Sequence, residues 1–204
     1  DSLHRSKKIK YISCHHEQAA SFSAEGYARA KKNIGCALVT TGPGGTNAIT
    51  GVSSAWIDSV PVLFISGQVF LNQTIRNSKK RQIGVQEIDI ISLVKPVTKY
   101  SILLKDPYSI KYHLERAYHQ AISGRPGPVW LDMPADIQNY KVDERKLSGY
   151  KITNLRKKNN LLNKKIKKIA ELLTKSERPV IHIGHGVKLS KAENSFLKLI
   201  NKYK

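Results

Sequence analysis

Apolar and polar positions change period several times along the 204 residues, and the changes mark elements. Residues 10–14 read as a short strand, with Tyr11 and Ile12 apolar. Residues 18–31 place Ala19, Ala20, Ala24, Tyr27, Ala28 and Ala30 at helical spacing, which predicts a small-faced helix, and Asn33-Ile34-Gly35 supplies its stop. Residues 36–40 form a continuous apolar run, the pattern of a parallel strand buried on both faces. Gly42 to Gly45 reads as a turn, residues 46–57 as a helix and residues 61–66 as a strand. Strand, helix and strand at this pitch predict βαβ units and a parallel sheet flanked by helices.

The rhythm breaks over residues 70–84, which are polar and basic and read as an exposed loop. Residues 85–94 predict a short helix and residues 97–104 a strand. Residues 107–123 predict a helix with Ile110, Leu114, Ala117 and Ala121 on one stripe. Gly124-Arg125-Pro126-Gly127-Pro128 is a turn, and residues 129–132 close the pattern as a strand. Periodicity is lost over residues 135–160. A Lys-rich amphipathic helix follows at 160–174, then a strand at 178–184 and a further helix from residue 190.

Composition changes this picture little. No apolar run is long enough to span a membrane, and the basic N-terminus lacks the apolar core of a secretory signal. These point to a cytoplasmic protein without a membrane partner. Cys14 and Cys36 are too few for a disulfide framework and read as buried thiols. The net charge of +20 comes largely from lysines after residue 150. An anionic partner is one reading of that excess. Lysines on solvated helix faces are the other, and it is favoured because no aromatics are interleaved and no nucleic-acid motif accompanies them. Nucleic acid is therefore not the expected partner.

Two features fall beyond strand ends, where ligands of open α/β sheets bind. Glu17 sits where a strand hands over to a helix, and the Thr41-Gly42-Pro43-Gly44 turn follows the next strand. Taken alone, Glu17 reads as a first-turn acid stabilised by the helix dipole, and the turn as an ordinary strand-to-helix connection. The turn is not a phosphate loop, because no Gly-Lys-Ser/Thr follows. Cys14, His15 and His16 alternate faces on an extended chain, so they make a poor ligand set, and no protein metal site is expected. Gly184-His185-Gly186 lacks the third glycine of a dinucleotide motif.

Four segments, HEQAA with AEGYAR, TTGPGGTN, DSVPVLFISGQV and GRPGPVWLDMPADIQ, occur in order within residues 9–140. Together they resemble the pyrimidine-binding domain of thiamine diphosphate-dependent enzymes, in the acetolactate synthase-like branch. The resemblance implies that residues 1–140 form that domain, with a strand and helix missing before residue 10. It implies a linker at 141–159, and at 160–204 the incomplete start of a second, Rossmann-like α/β domain.

The resemblance also implies roles. Glu17 would contact N1′ of the cofactor's pyrimidine, where a shared proton lets the cofactor's own amine remove the C2 proton. A carboxyl in an apolar pocket, with its pKa raised, would suit that sharing. Thr41, Pro43, Gly44 and Asn47 would line the cofactor. Gln86 matches the glutamine of the family's F-Q-E segment, although Val85 stands in place of the aromatic; on residues alone it reads equally as a helix-end polar group. The departure at Val85 and the basic loop before it resemble the acetolactate synthase-like proteins of surface-sugar gene clusters. The implied cofactors are thiamine diphosphate, Mg²⁺ held by residues of a domain not found here, and FAD as in some relatives. The implied enzyme is a transferase/lyase acting on a 2-keto acid, a homodimer or homotetramer. This chain would supply half of its active site and be inactive alone. The alternative is a non-catalytic remnant or basic binding module that keeps the fold.

Overall fold

The computed structural model of the chain describes residues 2–75, 78–152 and 160–202. Two compact units divide it, Asp1–Tyr150 and Lys151–Lys204.

In the first unit a short helix α1 (Ser2–Arg5) precedes α2 (Glu17–Lys31), β1 (Gly35–Val39), α3 (Pro43–Ile57) and β2 (Val62–Gln68). Then follow α4 (Ile90–Val94), β3 (Tyr100–Leu103), α5 (Ile110–Ile122), β4 (Val129–Pro134) and α6 (Ala135–Asn139). The strands form one sheet in the order β1-β2-β4-β3, and every neighbouring pair is parallel. This is the parallel, helix-flanked α/β sheet that the periodicity predicts.

Packing explains the small-faced helix. Ala24 and Ala28 of α2 are buried with Ala48, Val52 and Ala55 of α3 and Ala37 and Val39 of β1. A Cβ built on Gly51 would lie 2.2 Å from Ser21 Oγ, so α2 and α3 touch through a missing side chain. Phe64 and Trp130, both fully buried, stack with ring centroids 5.3 Å apart and fix β2 against β4. Such a pair is worth about 1 kcal/mol beyond the area it buries. On the other face Ala117 and Ala121 of α5 pack on Val129 and Leu131.

Several expectations are corrected. β1 is not buried on both faces: Gly35, Ala37 and Val39 are buried, while Cys36 and Leu38 are exposed. β1 is an edge strand, and among the described residues α2 and α3 bury the face that carries Ala37 and Val39. Cys14 is exposed as well, so neither thiol belongs to the core. Residues 10–14 and 178–184 form no strand. Both are apolar enough, but a strand exists only where a ladder partner lies beside it, and among the described residues neither has one. The helix expected from residue 46 starts at Pro43, because proline suits the first helical position and needs no N–H partner there. The helix expected at 85–94 is only Ile90–Val94, capped by the Asp89 carboxylate accepting from Ser92 N.

The described residues of loop 70–84 make more contacts than their polarity suggests. A 3-10 turn covers Leu71–Gln73. The buried Glu87 accepts hydrogen bonds from Ile75 N at 2.9 Å and Ile83 N at 3.3 Å. Residues 140–150 carry a 3-10 turn at Glu144–Lys146, and Tyr150 N donates to Glu115 on α5 at 2.7 Å.

The second unit holds α7 (Asn160–Lys175), α8 (Gly186–Leu189) and α9 (Glu193–Lys202). The helix expected from residue 190 begins at Glu193 as α9, and the short α8 before it ends at Leu189, with Lys191 between them at φ 55°. The expected linker falls partly on residues 153–159, which lie outside the described residues, as do Asn77 of the basic loop and residues 203–204 of the last helix.

Candidate functional site

Glu17 is the first residue of α2. His16 caps the helix, its Nδ1 accepting from Gln18 N at 3.1 Å. A carboxylate in a helix's first turn is stabilised by the unpaired N–H groups there. Asn47, just beyond the first turn of α3, donates from Nδ2 to Glu17 Oε2 at 3.1 Å. That bond is the main reason the carboxyl is held below its ordinary range, with its own backbone N–H second and partial burial opposing both. The raised pKa expected for an apolar pocket is not what this half-buried, hydrogen-bonded carboxylate has.

The turn between β1 and α3 closes over Glu17. A Cβ on Gly44 would stand 2.6 Å from Thr40 Cγ2 and 3.4 Å from Glu17 Oε1. Glycine here leaves the edge of the carboxylate uncovered. Gly42 has φ 58°, a conformation open to glycine at little cost. Its missing Cβ would fall 2.0 Å from the carbonyl oxygen of Gln86. The turn and the Gln86 segment therefore touch backbone to backbone. Gln86 itself has φ 59°, uncommon for a residue with a side chain, and its side chain is exposed.

Of the residues singled out from sequence, Glu17, Gly44 and Asn47 form one cluster. Thr41 and Gln86 flank it at the Gly42 contact, and Pro43 is exposed at the start of α3. No hydrogen bond joins Glu17 to Gln86 among the described residues. Cys14, His15 and His16 are all exposed, and no group of three or more His, Cys, Asp or Glu residues among the described residues could hold a metal ion.

Polar residues missed in the sequence lie directly behind the turn. Thr41 Oγ1 donates to Gln68 Oε1 at 2.8 Å, at the end of β2. Ser66 Oγ donates to Asp132 Oδ1 at 2.6 Å and accepts from Trp130 Nε1 at 2.8 Å. Asp132 is 2% exposed, and burial pushes its carboxyl up to about 7 against the opposing bonds from Ser66 and Gln68. A cavity of about 330 Å³ is lined among others by Gln68, Glu87, Asp89, Lys105 and Asp132. The available signal was a polar residue near the end of each apolar strand run, Gln68 in VLFISGQ and Asp132 in VWLDMP.

The chain matches the family model described as thiamine pyrophosphate enzyme, N-terminal TPP binding domain, over residues 1–93. It is 32% identical over 203 residues to the acetolactate synthase large subunit of Lactococcus lactis subsp. lactis, covering 100% of this chain and 34% of that protein. It is 39% identical over 207 residues to the probable acetolactate synthase large subunit of Methanocaldococcus jannaschii, covering 98% of this chain and 33% of that protein. The corresponding protein of Haemophilus influenzae is 38% identical over 195 residues, covering 91% of this chain and 32% of that protein. The chain thus spans about one third of the length of the curated relatives it matches.

Proposed function

We propose a function from one premise: the chain belongs to the thiamine diphosphate-dependent enzymes, in their acetolactate synthase-like branch. On this reading residues 1–140 are the pyrimidine-binding domain, 141–159 the linker and 160–204 the opening of a second α/β domain. The whole enzyme decarboxylates a 2-keto acid and transfers the remainder to an acceptor, working as a homodimer or homotetramer with Mg²⁺ on the cofactor diphosphate.

One observation carries the reading: Glu17 stands at a helix start, oriented by Asn47, with the bare backbone of Gly44 beside its Oε1. That is a cradle for the edge of a flat ring. When bound, thiamine diphosphate supplies a nucleophilic carbon and an electron sink for decarboxylation. Glu17, held below the ordinary carboxylate range, is ionised at neutral pH and ready to accept from a ring N–H at the pyrimidine N1′. Asn47 fixes the carboxylate's orientation. Thr41 and Gly42 hold the turn, and Gln86 forms the opposite wall on the substrate side.

The test is Glu17→Gln in the thiamine diphosphate-loaded holoenzyme. Proton exchange at thiazolium C2, followed by NMR, should slow by roughly a hundredfold, within the span of general acid–base contributions. An unchanged exchange rate rejects the role given to Glu17.

A further inference from the structure

Gln68 is 6% exposed, and its amide uses every hydrogen-bonding position it has. The oxygen accepts from Thr41 Oγ1 at 2.8 Å and Val69 N at 3.0 Å. The nitrogen donates to the Ile88 carbonyl at 3.0 Å and to Asp132 Oδ2 at 3.0 Å. A flipped amide would set a donor against Val69 N–H and an acceptor against a carbonyl, so its orientation is fixed.

These partners sit on different pieces of chain. Thr41 precedes Gly42 in the turn, and Ile88 follows Gln86 by two residues. Gly42 and Gln86 are the residues whose backbones touch, both at positive φ. Gln68 thus ties together the two segments that form the walls of the site, from behind. Its own footing is rigid. Asp132 is held by Ser66, Ser66 by Trp130, and Trp130 is stacked on Phe64 in the core.

We propose that Gln68 is a positioning residue for the reaction read in the preceding subsection, setting the spacing between the Thr41–Gly44 turn and the Gln86 segment without touching substrate or cofactor. The inference rests on that reading. A merely structural role would make Gln68 equivalent to Ser66, which belongs to the same buried network but reaches neither wall.

The test compares Gln68→Ala with Ser66→Ala by amide hydrogen exchange on the whole chain. The reporters are Thr46 N, bonded to the Gly42 carbonyl, and Glu87 N, bonded to the Gly84 carbonyl. Gln68→Ala should speed exchange at both by about tenfold more than at amides of α5, and Ser66→Ala should not, because only the first opens the walls locally. In the holoenzyme Gln68→Ala should slow C2 proton exchange by about tenfold, a part of the acid–base contribution, with Ser66→Ala within about twofold of wild type. If Gln68→Ala does not fold, Thr41→Val removes only the bond to the turn and should loosen Thr46 N in the same way. Equal effects of Gln68→Ala and Ser66→Ala on the reporters overturn the proposal. So does normal C2 exchange in Gln68→Ala when Glu17→Gln slows it. Normal C2 exchange in Glu17→Gln itself brings down the site reading, and the positioning role with it.

Discussion

Asn47 donates to Glu17 Oε2 at 3.1 Å across 30 positions of chain, so the start of α3 orients the first carboxylate of α2. This bond is the largest cause of the lowered Glu17 pKa. Asn47→Ala should therefore move the Glu17 titration upward, toward the ordinary glutamate value, while the fold persists because Asn47 is exposed. Carboxyl-carbon NMR titration of the two proteins measures it. An unmoved Glu17 midpoint would show that the helix start alone, through its N–H groups, sets the charge.

The order of elements at this site was readable because the period of the apolar positions is local, as in the alanine stripe of α2. Their ends were less so: Lys32 at φ 53°, and not Gly35, closes α2, Gly35 opens β1, and α3 starts at Pro43 inside the run read as a turn. Glu17, Gly44 and Asn47 were reached through segments that resemble a family, and the structure brings them together. Other features were not readable because they depend on partners far away in the chain. Ser66 and Asp132 meet only because the parallel register sets them opposite each other on β2 and β4. The runs at 10–14 and 178–184 have strand composition, yet a ladder needs a second strand that composition does not report. Cys36 and Leu38 are exposed because β1 is an edge, a fact of sheet order and not of its own residues.

Glu87 ties together the two ends of the basic loop, at Ile75 and Ile83. Its two oxygens accept from Ile75 N and Ile83 N, and Gly84 N donates to the Gln73 carbonyl at 2.9 Å. Glu87→Ala leaves those two amides without their acceptor, at about 1–3 kcal/mol each. Lys79, Lys80 and Arg81 between them are exposed trypsin sites. Limited trypsin digestion should cut the variant there at least about tenfold faster, since cleavage follows the population of the opened loop. Cleavage at the wild-type rate would mean that the loop is held by other contacts.

Asp132 should make stability depend on pH in the direction opposite to an ion-paired carboxylate. Burial raises its carboxyl from 3.8 to about 7, with Asp89 and Glu87 adding repulsion, while Ser66 and Gln68 pull the other way. The folded chain therefore binds this proton more tightly than the unfolded chain. The stability it contributes is complete below about pH 4, declines as pH rises, and is gone above about pH 7. At about 1.4 kcal/mol per pKa unit the whole change is on the order of 4 kcal/mol as an upper bound. Asp132→Asn stays neutral throughout and lacks this slope. Urea unfolding of both proteins from pH 4 to pH 8 isolates the effect, because every other titrating group is shared. The wild-type stability minus that of the variant should fall across pH 4–7 and level off above it. A flat difference would mean that Ser66 and Gln68, each donating to one carboxylate oxygen, keep Asp132 ionised in the fold.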